Sequence, residues 1–118
     1  MGETFSPQER IKKKSEFLLL YKQGRRYKGE HFSLIYLPNN LLFSRFAVVV
    51  SRKVGDAVAR NKIKRWLREL FRRNKELLKN PMDIIVIPKK DIIELSWSFI
   101  RKEYLTAINF INQNNQPR

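Results

Sequence analysis

Residues 51–75, SRKVGDAVARNKIKRWLRELFRRNK, leave little freedom in how the rest of the chain can fold. Ile63, Trp66, Leu67, Leu70 and Phe71 recur at i, i+3, i+4, i+7 and i+8, one apolar stripe of an α-helix. An advance of about 100° per residue puts Asn61, Lys64, Arg65, Arg68 and Arg72 on the opposite side. One face is built to bury, so a sheet or further helices must cover it. The other face carries a dense set of cations. Asp56 is the expected N-cap, because its carboxylate accepts from orphan amides at the positive helix end. Arg72, Arg73 and Lys75 fall near the C-terminal end, where cations suit the dipole. Glu69 follows Arg65 by four residues, so one ion pair fits there and leaves the rest uncompensated.

A solvated helix that merely aids solubility is the bland account of such a face. Against it stands the mutual repulsion of many cations among few acids, which is relieved opposite a polyanion. Guanidinium groups offer paired donors matched to phosphate, and Asn61 adds an amide without charge. RNA or DNA is the partner this face predicts. The whole chain agrees: 118 residues carry a formal charge of +14. That length suits one domain with one core. The chain has no cysteine, which excludes disulfides and thiolate metal sites and fits a reducing cytoplasm. The start, MGETFSPQERIKKK, has no apolar segment behind its charges and does not read as a secretory signal. No apolar run approaches the roughly 18 residues that span a bilayer, so no membrane role is expected.

In chain order, residues 1–9 read as an extended polar arm leading into Arg10, Lys12, Lys13 and Lys14. Ser15 and Glu16 suggest a helix start and Gly24 a left-handed stop, for a short helix at residues 17–23. Phe17, Leu20 and Tyr21 share one face of it, while Leu18 and Leu19 point elsewhere. Residues 25–28 make a short strand, and Gly29-Glu30 turns into a strand at residues 31–37 with Phe32, Leu34 and Tyr36 on one face. Pro38-Asn39-Asn40 signals a turn between two apolar runs and argues for an antiparallel hairpin. The next run, residues 46–50, is rich in β-branched side chains and reads as a central strand covered on both faces. After the basic helix come a buried-type strand at residues 84–87 and a last helix. Ser96 caps that helix, and its core stripe is Trp97, Ile100, Tyr104, Ala107, Ile108 and Ile111. The tail, residues 112–118, has no apolar anchor and is expected to fray, leaving 113–118 flexible. The expected fold is a single α+β domain of order α-β-β-β-α-β-α, with a mixed four-stranded sheet.

Arg60-Asn61-Lys62-Ile63-Lys64-Arg65-Trp66-Leu67-Arg68-Glu69, preceded by Ser51-Arg52-Lys53-Val54-Gly55-Asp56, resembles the RNR signature of the bacterial ribonuclease P protein family. Lys62 stands where that signature often has arginine. Arg10-Ile11-Lys12-Lys13 with Phe17, Tyr21 and Gly24 resembles the family's first helix, residues 32–37 its aromatic strand and residues 83–87 its late strand. The resemblance covers roughly residues 9 to 112. It implies a left-handed crossover around the basic helix, and a cytoplasmic protein that joins a catalytic RNA in a 1:1 complex. It also implies that the RNA, using magnesium ions, removes the 5′ leader of precursor tRNA. Two surfaces follow from it. Ser51, Arg52, Lys53, Arg60, Asn61, Lys62, Lys64, Arg65, Arg68 and Arg72 would meet the catalytic RNA. Phe17 and Tyr21 with Leu34 and Tyr36 would form a cleft for the single-stranded leader, with Lys12, Lys89 and Lys90 along its backbone. Ordinary core packing is the competing account of those aromatics.

The residues themselves offer no catalytic set. A nuclease acting alone needs clustered carboxylates for metal ions or a general acid–base pair. His31 is the only histidine, Asp56 serves as a cap, and Asp83, Asp91, Glu94 and Glu103 share no spacing. No phosphate loop, zinc pattern or nucleophile elbow is present. The protein alone is not expected to cut RNA or to hold a metal. A basic protein of another ribonucleoprotein, such as a ribosomal one, fits the composition equally well. A helix-turn-helix DNA binder and a membrane-surface helix fit less well.

Overall fold

Alternation along the strands divides the chain into two apolar layers, one on each face of a single sheet. The computed structural model describes residues 5–114. Its elements are α1 (Lys14–Gln23), β1 (Arg25–Lys28), β2 (Phe32–Pro38), β3 (Arg45–Val48), α2 (Ala57–Arg73), β4 (Met82–Pro88) and α3 (Trp97–Asn114). Together they make the expected α+β domain of three helices and a mixed four-stranded sheet. Phe32, Leu34, Tyr36, Phe46, Val48, Ile84 and Val86 face α2 and α3, and with the buried stripes of those helices they form the main core. Ile35 and Ile85 face the other way and are covered by Leu20 of α1 and by Ile11. The sheet is thus sandwiched between α1 on one side and α2 with α3 on the other.

The strand order is β1-β2-β4-β3, with β2 antiparallel to β4 and β3 parallel to β4. This corrects two expectations. Pro38-Asn39-Asn40 does not close a hairpin, because β4 inserts between β2 and β3; instead Asn39 donates to Asp83 (2.9 Å) and to the Phe43 carbonyl (3.3 Å). The central strand is β4, whose apolar side chains serve both cores, and β3 lies at the edge. The open side of β3 is shielded by the incoming chain, where Ile11 N–H donates to the Phe46 carbonyl (3.2 Å). Covering the edge in this way protects it from pairing with other chains.

The hand of the β3–α2–β4 crossover follows from residue chirality. On an upward strand, an L-residue whose side chain points at the viewer turns its N–H and C=O to the right. Seen from the α2 side with β3 upward, Phe46 points at the viewer, and its carbonyl meets Ile11 at the right edge. Val49 points away, and its N–H reaches Val86 of β4 on the left (2.9 Å). A chain that rises in β3, crosses in front through α2 and re-enters at the left makes a left-handed crossover, against the strong general preference. The resemblance implied this hand.

Several local features differ from their sequence reading. The segment before α1 does not run free: Phe5 packs edge-on against Phe46 and Phe71 (6.3 and 5.5 Å). Residues Pro7–Glu9 form a 3-10 turn in which Glu9 is buried and pairs with Lys75 (2.7 Å). α1 begins at Lys14 rather than at Ser15, and Glu16 accepts from the Lys13 amide (3.3 Å). α3 continues through residue 112, where Asn112 bonds the Lys79 amide (3.1 Å) and the Leu77 carbonyl (2.7 Å). Residues 1–4 and 115–118, the outer arm and the end of the tail, lie outside the described residues. Asp56 does cap α2, accepting from the Ala59 amide (2.9 Å). Ser96 accepts from the Phe99 amide (3.4 Å) at the start of α3.

Gly24 is not a left-handed stop; its backbone is extended at φ −69°, ψ 152°. Its role is clearance, since a Cβ there would lie 2.5 Å from Ile35 Cγ2 and 2.6 Å from the Leu20 carbonyl. Gly24→Ala should therefore destabilise the fold by about 1–3 kcal/mol, as overpacking against backbone does. Chemical denaturation of the variant beside wild type measures this, and an unchanged midpoint would show that α1 shifts freely.

A second prediction comes from the only histidine. His31 Nδ1 lies 2.7 Å from Glu103 Oε1, and Glu103 Oε2 accepts from the His31 amide (2.9 Å), tying the β1–β2 turn to α3. The hydrogen bond to Glu103 raises the His31 pKa above its ordinary 6.5, with Glu30 and Asp91 adding to it and burial opposing. A folded-state pKa above the unfolded one gives stability that is full below about 6.5 and fades as pH rises through the folded value. The drop in melting temperature caused by His31→Ala should thus be larger at pH 5.5 than at pH 8.5. An equal drop at both pH values would show that the imidazolium charge contributes nothing.

Candidate nucleic-acid interface

α2 divides as its sequence pattern demands. Ile63, Leu67, Leu70 and Phe71 are buried, Trp66 is half-buried, and Asn61, Lys62, Arg65 and Arg68 are exposed. Arg60 and Lys64 lie half-buried at the flanks. Asn61, Lys64, Arg65, Arg68 and Arg72 line a shallow groove whose far wall is Phe5 and Arg10. The sequence marks Arg10 only as part of a basic run and does not single out Phe5. The fold brings both to the groove because the chain before α1 packs beside β3, next to Phe71 of α2.

The carboxylates are mostly engaged within the fold. Arg45 binds Asp83 through two bonds (2.9 and 2.6 Å) and Glu16 through a third (2.5 Å). The Arg45 guanidinium holds the Glu16 carboxyl below its ordinary range. On α2, Glu69 pairs with Arg72 (2.6 Å) and Arg73 (2.8 Å), and its pKa is lowered chiefly by the Arg72 bond. Arg72 is thereby held along the helix rather than presented freely. Among the described residues no carboxylate pairs with Arg60, Lys64, Arg65 or Arg68. Four cations on one helix face thus have no ion-pair partner of their own, and Glu69, the one carboxylate lining the groove, is taken up by Arg72 and Arg73.

A second basic cluster follows from the parallel pairing of β3 and β4. Both strands end at the same edge, so Ser51, Arg52 and Lys53 leave the sheet beside Lys89 and Lys90. The short 3-10 turns Arg52–Val54 and Lys90–Glu94 pack on one another there. Arg52, Lys53, Lys89 and Lys90 are exposed, although Lys89 also donates to the Gly29 carbonyl (2.7 Å).

The expected aromatic cleft needs correction. Phe17 and Tyr21 lie on α1, half-buried and exposed respectively, and Lys12 is exposed just before the helix. Leu34 and Tyr36 are not with them. They are 0% and 2% exposed and point through the opposite face of β2 into the core under α2 and α3. The side chains that do share the α1 face are Ile35 and Ile85, buried, with Leu37, Ala47, Val49 and Ile87 half-buried around them. The alternation that grouped Phe32, Leu34 and Tyr36 is correct; their face is the one α1 does not take.

Among the described residues no three or more His, Asp or Glu side chains converge on a point that could hold a metal ion. The carboxylates at Glu9, Glu16, Glu69 and Asp83 are bound by cationic side chains. Among the described residues no helix is long and apolar enough to cross a membrane.

An α+β domain with a left-handed crossover, whose connecting helix turns an uncompensated cationic face outward, defines a small basic protein suited to meet a polyanion. The ribonuclease P family model matches residues 5–111. The ribonuclease P protein component of Thermotoga maritima is 43% identical over 107 residues, covering 91% of this chain and 89% of that one. That of Petrotoga mobilis is 36% identical over 111 residues, covering 91% and 94%. Among solved structures, the RNase P protein from Thermotoga maritima superposes with a TM-score of 0.80 at 37% identity, covering 92% of this chain and 99% of that one. The Staphylococcus aureus RNase P protein gives 0.79 at 32% identity, covering 86% and 94%. The chain belongs to the ribonuclease P protein family, and its role is that of the ribonuclease P protein subunit in tRNA processing.

Proposed function

We propose that the chain binds a catalytic ribonuclease P RNA through the outward face of α2 and assists that RNA in removing the 5′ leader of precursor tRNA. The observation that carries this reading is the set Arg60, Lys64, Arg65 and Arg68, exposed or half-buried and unmatched by any described carboxylate. Two RNAs repel as they dock, and a cationic surface between them offsets the repulsion and releases counterions. The RNA carries the chemistry with magnesium held by its own phosphates, as the family resemblance implies. The protein acts in the cytoplasm, as a monomer in a 1:1 complex with its RNA.

The 5′ leader runs along the α1 face of the sheet, corrected in its lining. Phe17 and Tyr21 supply aromatic surface, and Ala47, Val49 and Ile87 supply an apolar floor in place of Leu34 and Tyr36. Base–aromatic stacking tolerates any sequence, which suits a general processing enzyme. Lys12, Lys89 and Lys90 are the cations placed to follow the leader backbone. Reconstitution tests the whole reading: the protein, mixed with a bacterial ribonuclease P RNA, should restore precursor tRNA cleavage at low magnesium. Failure to stimulate would overturn the assignment of partner, and cleavage by the protein alone would overturn the assignment of chemistry.

A further inference from the structure

The chain has two tryptophans, and the fold places them together beyond the groove on α2. Trp66 of α2 and Trp97 at the start of α3 meet edge to face, with ring centroids 5.6 Å apart and planes at 79°. Both pack inward on the core yet remain half-exposed. With Arg65, Glu69 and Arg73 they line an open concavity of about 490 Å³. Lys62 Nζ stands 4.6 Å over the Trp66 ring at its margin. Among the described residues neither indole N–H has an acceptor, and neither is buried. The single carboxylate, Glu69, is already bound by Arg72 and Arg73 and does not leave the concavity acidic.

We infer that this concavity docks one unpaired nucleobase of the partner RNA. A flat base stacks on one indole and meets the edge of the other, while the indole N–H groups offer donors to its acceptors. Lys62, Arg65 and Arg73 surround the site with donors for the flanking phosphates. Arg65 lines both this concavity and the groove that holds Asn61 and Arg68, so an RNA strand in the groove leads directly into it. A second copy of this strongly cationic chain is a poor occupant of a cationic hollow. The inference rests on the RNA-binding reading of α2 and adds to it a stacking contact.

Because Trp66 and Trp97 are the only tryptophans, emission excited selectively in tryptophan, at wavelengths the four tyrosines do not absorb, reports on this site alone. Ribonuclease P RNA carrying a fluorophore is titrated with the protein, reading affinity by anisotropy and the site by tryptophan emission and acrylamide access. Docking should quench emission and shield the indoles at the same midpoint as the anisotropy change. Trp97→Leu should weaken binding at least about fivefold and leave the salt dependence unchanged, since stacking releases no counterions. Melting curves and Trp97→Phe, which keeps a stacking ring and should recover most of the affinity, separate this from misfolding. RNA binding by anisotropy with unaltered emission would overturn the inference and spare the RNA-binding reading. Absence of binding to that RNA would overturn the partner, and a mixed-sequence single-stranded oligoribonucleotide would then decide the site by the same quench. An emission change that follows protein concentration without RNA would assign the concavity to a second copy instead.

Discussion

Replacing Tyr36 by alanine should lower stability by about 3–5 kcal/mol, the range for a large aromatic removed from a packed core. Tyr36 is 2% exposed and sits among Phe32, Leu34 and Ile84 beneath α2 and α3. Burial pushes its phenol pKa up, as expected for a ring held away from water. The melting temperature should fall by more than about 10 °C. Affinity for precursor tRNA and for mature tRNA should then fall together, because both depend on a folded protein. Tyr21→Ala should behave differently. That ring is 40% exposed on α1, so its removal should spare the fold and weaken the holoenzyme's grip on precursor tRNA alone, by up to about 1–3 kcal/mol. Thermal melts beside paired affinities measure both variants. A stable Tyr36→Ala protein impaired only in precursor binding would return Tyr36 to the leader surface and contradict the observed packing.

The double replacement Arg65→Ala/Arg68→Ala should produce the opposite profile. Both side chains are exposed, and neither has a carboxylate partner among the described residues, so the melting temperature should stay close to wild type. RNA affinity should fall, and the log–log salt dependence of binding should become shallower by roughly two units, one for each phosphate no longer neutralised. Arg72→Ala is the instructive contrast. Arg72 is bonded to Glu69 at 2.8 and 2.6 Å, so its removal also leaves that carboxylate less neutralised beside the RNA. Salt titrations of the two variants separate phosphate binding from local charge balance. An unchanged slope in the double variant would show that the outward face of α2 does not meet the RNA.

The basic helix was legible because its signal is local. A 3.6-residue period, a capping aspartate and one-sided charge specify which side chains point inward without reference to any other part of the chain. The stripe of α3 was legible for the same reason, and so was the parity of β2, which groups Phe32, Leu34 and Tyr36 correctly. The site on α2 came with its helix; Arg10 and Phe5 did not, because only folding carries the segment before α1 to the groove.

What only the tertiary structure decided is which neighbour each face and edge receives. β2 is apolar on both sides, with Leu34 and Tyr36 on one and Ile35 and Leu37 on the other, so alternation alone cannot say which side α1 covers. Strand order is equally silent in the sequence. The residues at 38–40 make a good turn, yet β4 enters between β2 and β3 from more than forty residues away, and a run of buried β-branched residues reads alike in β3 and β4. Gly24 illustrates the same limit at one residue: composition suggests a turn, and the close approach of Ile35 shows that the constraint is space. The sequence by itself determined the elements, their inward faces and the cationic helix, because each depends on residues a few positions apart. Sheet order, the face given to α1 and the meeting of Trp66 with Trp97 depend on contacts between distant segments, which become definite only when the whole core packs.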